Sequence, residues 1–271
     1  MRLSVNSKQL AAGSFLIYSC LFLSGCVSKE TSGDKSPGTA SLTPLPTKPL
    51  ELTINERPLV ILTPTSDGHW INLEVTGLKP AVKSIEYELV YFATEAGNQI
   101  ERGTTGAVDL NGQSSLTRKI LFGTESCTNG CKYRFEENVS EGVLTLKLKS
   151  DSGTEKYETA FRLQKGSEGK EGLTTGDGSF KFIAANLPAK SYFVTISTIG
   201  VPGKFSGTIA TLPYGDFPSV SAKGEAAFKT TNPEAKILFW NNQKWEELKS
   251  SYANGWLTAS VAKTGIFVLV K

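Results

Sequence analysis

Strict alternation of apolar and polar residues recurs through most of this chain, and it leaves little room for anything but strands. Ile71, Leu73 and Val75 alternate with Asn72 and Glu74. Ile85, Tyr87, Leu89 and Tyr91 alternate with Glu86 and Glu88, and Leu144, Leu146 and Leu148 with Thr145, Lys147 and Lys149. Tyr157, Thr159, Phe161 and Leu163 alternate with Glu158, Ala160 and Arg162. Successive side chains of an extended chain point to opposite faces, so each run offers one face to a core and one to water. Asp67-Gly68, Asn111-Gly112, Asn129-Gly130 and Ser152-Gly153 supply turns between such runs. No helical stripe longer than about ten residues competes with this pattern. The expected fold class is therefore all-β, with two β-sandwich domains, Ig-like or related. The disulfide of true Ig domains is missing, because Cys127 and Cys131 are too close in sequence to join two sheets.

The first sandwich is expected over residues 51–165 and the second over 179–271. Between them, residues 166–178 hold five glycines in 13 positions, the composition of a linker or an exposed loop. In the second block Phe180, Phe182 and Ala184 share a face, while Tyr192, Val194 and Ile196 oppose Phe193, Thr195 and Ser197. Asn241-Asn242-Gln243-Lys244 reads as a polar hairpin tip between Trp240 and Trp245. The apolar run Ile266-Phe267-Val268-Leu269-Val270 is expected to be a central strand.

The first 50 residues follow a different logic. Arg2 and Lys8 precede an apolar run over residues 10–23, and Leu23-Ser24-Gly25-Cys26 follows. A run of about 14 residues is shorter than the ~20 that span a bilayer and fits a secretory signal peptide over residues 1–25. Leu-Ser-Gly-Cys resembles the bacterial lipobox. That resemblance implies cleavage before Cys26, transfer of a diacylglycerol with palmitate-type chains to its thiol, usually a third chain on the new amine, and an extracytoplasmic place on the cell membrane or outer membrane. Cys20 fits less well, since bulky Tyr18 precedes it and Leu21-Phe22-Leu23 continues the apolar run. Val27 rather than Asp after the cysteine disfavours, by the same analogy, inner-membrane retention in a two-membrane cell. Residues 26–50 carry four of the 12 prolines and little apolar content, so they are expected to be a disordered Ser/Thr/Pro tether. From residue 51 onward, 24 Lys and Arg balance 24 Asp and Glu. Nucleic-acid binding needs clustered positive charge, so nucleic acid is not an expected partner.

Candidate chemistry is sparse. Cys127 and Cys131, with Thr128-Asn129-Gly130 between them, are placed to form a disulfide. No metal site and no cofactor are expected, since zinc asks for four ligands and His69 is the single histidine. Lys263-Thr264-Gly265 matches one motif of serine β-lactamases without its partners. Glu86 and Glu88 stand roughly 7 Å apart on one strand face, near a glycosidase spacing but more simply a wet face. A carboxylate-based hydrolase is thus a third choice, and no enzyme activity is expected. Aromatics are the remaining handle. Trp240, Trp245, Trp256 and Tyr252 could stack on a sugar or anchor a partner, or simply fill a core. The hairpin Ile237 to Leu248, followed by Thr264-Gly265-Ile266-Phe267-Val268-Leu269, is similar to the ends of β-sandwich modules in bacterial surface proteins. No catalytic residue belongs to that pattern. The expected role is a membrane-anchored envelope lipoprotein with a non-catalytic structural, adhesive or binding task. The alternative is a glycan- or peptidoglycan-binding module using Trp240 and Trp245. Expected partners are the membrane, through the lipid anchor, and a cell-wall glycan or another envelope protein.

Overall fold

The computed structural model describes residues 52–271; Cys26, the signal segment and nearly all of the tether lie outside them. Nine strands come first: β1 Leu59–Pro64, β2 Trp70–Thr76, β3 Val82–Glu95, β4 Asn98–Asp109, β5 Leu116–Leu121, β6 Gly123–Cys127, β7 Cys131–Phe135, β8 Glu141–Ser150 and β9 Gly153–Lys165. Ten follow: β10 Leu173–Thr174, β11 Phe180–Ile183, β12 Tyr192–Ser197, β13 Tyr214–Phe217, β14 Ser221–Lys229, β15 Lys236–Trp240, β16 Trp245–Leu248, β17 Ser250–Ala253, β18 Trp256–Lys263 and β19 Ile266–Val270. Two short 3-10 turns, Ile54–Glu56 and Gly166–Lys170, are the helical elements among the described residues. No helix among them is long and apolar enough to cross a membrane. The all-β expectation holds.

All strand pairs are antiparallel. A nine-stranded sheet runs in the order β16-β15-β19-β13-β12-β9-β8-β3-β4, beside a three-stranded sheet β1-β2-β5 and a five-stranded sheet β10-β11-β14-β18-β17. The alternation predicts which side chains enter the first core. Ile85, Leu89, Leu144, Leu146, Val194 and Ile196 of the large sheet pack against Val60, Leu62, Ile71, Leu73 and Ile120 of the three-stranded one. The second core lies on the opposite face of the large sheet. There Phe193, Tyr214, Phe239, Phe267 and Leu269 meet Phe180, Phe182, Ala226, Phe228 and Leu257 of the five-stranded sheet. Val194 and Phe193 are neighbours in one strand and serve different cores, as the two-residue period requires.

The two sandwiches therefore share one sheet. β12, β13 and β19 are covered on both faces, and every residue of β13 and β19 is buried. A strand wet on neither face has no reason to alternate, which explains the unbroken apolar run 266–270. The expectation that this run is central is met, since β19 pairs with β13 and β15.

Residues 166–178 depart from the linker expectation. They form the turn Gly166–Lys170 and strand β10, which pairs with β11. Gly166 and Gly169 are buried. A Cβ on Gly166 would collide with the Pro188 carbonyl oxygen, and one on Gly169 would lie 2.6 Å from Leu187. These glycines permit close packing, which composition alone does not distinguish from flexibility. The expected boundary between independent domains is corrected accordingly: β9 pairs directly with β12 across it, and the described residues 52–271 lie within one compact unit.

Candidate functional site

The tryptophan hairpin forms as the sequence predicts. Asn241 closes its tip, its Oδ1 accepting the Gln243 and Lys244 N–H groups, both at 2.9 Å. Trp240 and Trp245 are directly opposite in register, with ring centroids 5.4 Å apart and planes tilted by 54°. The loop over residues 199–213 leans on them. Trp245 Nε1 donates to the Pro202 carbonyl at 3.2 Å, and Phe205 meets the Trp245 ring edge-on. Gly203, at φ +64°, lies against the Trp240 ring, where a Cβ would come within 2.6 Å. The resulting cleft holds about 460 Å3 and is edged by Lys204, Phe205, Gln243, Lys244 and Glu247. Both indoles are half-buried, so they pin the loop as well as line the cleft.

Trp256 and Tyr252 do not join this pair. They stand on β18 and β17 of the five-stranded sheet, across the large sheet from Trp240 and Trp245. Lys181 Nζ caps the Trp256 ring at 4.3 Å, and Tyr252 remains exposed at the sheet edge. The cluster of four aromatics close in sequence is thus corrected to one pair, Trp240 and Trp245, and two residues that stand apart from it and from each other, since Tyr252 is opposite Leu257 and Trp256 opposite Ala253. Sequence spacing cannot show that β17 and β18 pair away from β16.

Cys127 and Cys131 face one another across the β6–β7 hairpin and form the expected disulfide, with Cα atoms 4.1 Å apart. Apart from Gly123, every residue of the two strands is exposed, so the hairpin is a projecting finger. An isolated two-stranded hairpin is marginal in water, and the disulfide compensates at its tip. At its base Arg102 bridges Glu95 at 2.8 Å and Glu136 at 3.2 Å, while Arg134 reaches Glu95 at 2.8 Å. Tyr133 and Phe135 stand on one face of the finger, an aromatic pair not singled out by the sequence reading. Their alternation with Lys132 and Arg134 was the available signal. Phe135 stacks on His69 at 4.0 Å, and Tyr133 meets Trp70 edge-on. His69 also pairs with Asp67 at 3.3 Å. Asp67 is held below the usual carboxylate range, chiefly by the Thr65 hydroxyl and then by the His69 N–H.

The remaining motifs are tied into structure. Thr264, of Lys263-Thr264-Gly265, donates through Oγ1 to the Pro218 carbonyl at 2.9 Å and accepts the Val220 N–H at 2.8 Å, clamping the turn between β13 and β14. Glu86 is hydrogen-bonded to Lys149, which lowers its pKa. Glu88 is exposed beside it on the outer face of β3.

One buried acid escaped the sequence reading. Asp216 in β13 is fully buried, and its Oδ1 accepts a 2.6 Å hydrogen bond from Thr195 Oγ1. Its Oδ2 has no partner among the described residues. Burial drives its pKa up to about 8, against the lowering effect of the Thr195 hydrogen bond. It lies inside the shared sheet rather than in a cleft, so its chemistry bears on stability. No protein-family model matches the sequence, and no relative is found among the curated proteins.

Proposed function

We propose that this chain is a membrane-anchored cell-envelope lipoprotein with a non-catalytic structural, adhesive or binding role. The observation that carries the reading is Leu23-Ser24-Gly25-Cys26, set after a basic start and a short apolar run. The described body begins at Leu52, so residues 27–51 stand between it and Cys26. Zero charge balance from residue 51 onward leaves membrane attachment to the acyl chains, of which at least two are needed for stable anchoring. Metabolic labelling of the full chain with an alkyne palmitate in a bacterial host tests this. Label should enter the parent protein and be lost in Cys26→Ala, with the variant leaving the membrane fraction. Equal labelling and fractionation of the two proteins would refute it.

A second reading is favoured by the cleft of about 460 Å3 between Trp240, Trp245 and residues 203–206. Its volume falls within the range of ligand sites, about 300–1,000 Å3, and indole faces suit sugar rings. Co-sedimentation with insoluble peptidoglycan should weaken in Trp240→Ala and Trp245→Ala. Unchanged binding in both variants would count against it.

A further inference from the structure

Where the chain enters the body, a notch of about 350 Å3 lies among Leu52, Arg57, Tyr157, Ser197, Ile199 and Leu212. Three independent features meet in it. The first is an open strand edge. β9 pairs with β8 over residues 153–162, but on its other side it meets β12 only over residues 161–165. Thr159 Oγ1 still reaches the Ser197 carbonyl at 2.9 Å, so among the described residues 153–158 have no strand on that side. The second is an unmet hydroxyl. Ser197 is only 6% exposed, and its Oγ has no hydrogen-bond partner among the described residues. A buried polar group without a partner bears its whole desolvation cost. The third is charge. Arg57 Nε donates to the Leu52 carbonyl at 3.2 Å, and the guanidinium has no ion pair among the described residues. The neighbouring Lys156 is paired with Glu158 at 3.1 Å, which leaves Arg57 as the cation open to an anion.

The floor of the notch is apolar and fixed. Leu212 is 46% exposed above buried Ile199. Ile199 holds φ at +64°, a conformation that β-branched residues rarely adopt. Gly200 beside it must be glycine, since a Cβ there would lie 2.6 Å from the Pro58 carbonyl oxygen. The segment over residues 57–58 therefore crosses tightly over the loop and presents Arg57 to the notch.

We infer that the notch receives an extended peptide bearing an acidic side chain, which adds to the free edge of β9. Main-chain hydrogen bonds along an open edge give such a complex its affinity, and alternate side chains give its specificity. The guanidinium fork of Arg57 takes the carboxylate, Ser197 Oγ takes a polar group, and Leu52, Ile199 and Leu212 take an apolar neighbour. A small free carboxylate would leave the strand edge unused. The chain's own residues 44–49 are a poor occupant, because Pro44, Pro46 and Pro49 remove N–H donors from both edges of a strand. This inference concerns the folded body and does not depend on acylation of Cys26.

The test is a displayed library of linear hexapeptides panned on the full chain, with selected peptides measured by fluorescence polarisation. Selected sequences should alternate β-branched residues with Asp or Glu. Arg57→Gln should weaken them by at least about tenfold and Ser197→Ala by about threefold to tenfold. Ser197→Ala should melt no lower than the parent, which separates a binding role from a structural one. N-methylation of alternate peptide bonds should abolish binding. The inference falls if no sequence is selected, if neither substitution weakens binding, or if N-methylated peptides bind as well. It falls equally if free glutamate, or a synthetic peptide of residues 40–51, competes as strongly as the selected peptides.

Discussion

Asp216→Asn is expected to stabilise the protein, and by an amount that grows with pH. Asp216 has a pKa near 3.8 in an exposed chain and about 8 in the folded protein, because burial disfavours the carboxylate. The folded state therefore holds a proton that the unfolded state releases between these values. Stability linked to this group is complete below pH 3.8 and declines as pH rises, levelling off above about 8. Each pH unit in that window costs about 1.4 kcal/mol. At pH 7 the loss is about 4 kcal/mol, and above pH 8 it approaches about 6 kcal/mol. Asparagine keeps the acceptor for Thr195 Oγ1 and has no proton to release in this range. Urea denaturation of parent and variant at pH 5, 6, 7 and 8 isolates the effect, since every other titration cancels in the difference. The gap should widen by about 4 kcal/mol from pH 5 to pH 8. A gap constant within about 1 kcal/mol would refute the assignment of a protonated acid to the shared sheet.

Three further outcomes follow from the packing. Phe267→Ala should cost about 3–5 kcal/mol and shift one common thermal transition for both halves, since Phe267 meets Phe180, Phe182 and Phe239 in the sheet the halves share. Two resolved calorimetric transitions would contradict that coupling. Gly203→Ala should cost about 1–3 kcal/mol through strain at φ +64° and contact with Trp240, visible as a lower Tm and altered Trp fluorescence. Cys127→Ser with Cys131→Ser should lower Tm by only a few degrees while amides in β6 and β7 exchange faster, because the finger gives no buried residue to either core. A collapse of the whole fold would show the finger to be part of the core.

Strands wet on one face were legible because their alternation reports directly on burial. Ile71, Leu73 and Val75 are fully buried as expected, and so are Leu144 and Leu146. Asn111-Gly112 closes its turn with both residues at positive φ, as the dipeptide suggests. Where a strand is covered twice, the signal vanishes. Phe193 and Val194 read as competing faces of one strand when in fact each face has its own core. The same ambiguity hid Asp216, since a polar residue in a doubly covered strand looks like a wet position. The glycines of residues 166–178 misled because close packing and flexibility draw on the same residue type. The Trp240–Trp245 pair was visible from hairpin symmetry, but the notch beside β9 was not. It arises from residues 52–57, 156–158 and 197–212, brought together by pairings far apart in the chain.

The position of β19 also bears on how the chain is made. Ile266 belongs to the first core and Phe267 and Leu269 to the second, so the first lacks a member until residue 266, and the second until residue 269, has left the ribosome. Until then β13 and β15 have an unfilled place between them. A chain wired this way closes both cores with the same short strand, so the two halves set together rather than one after the other.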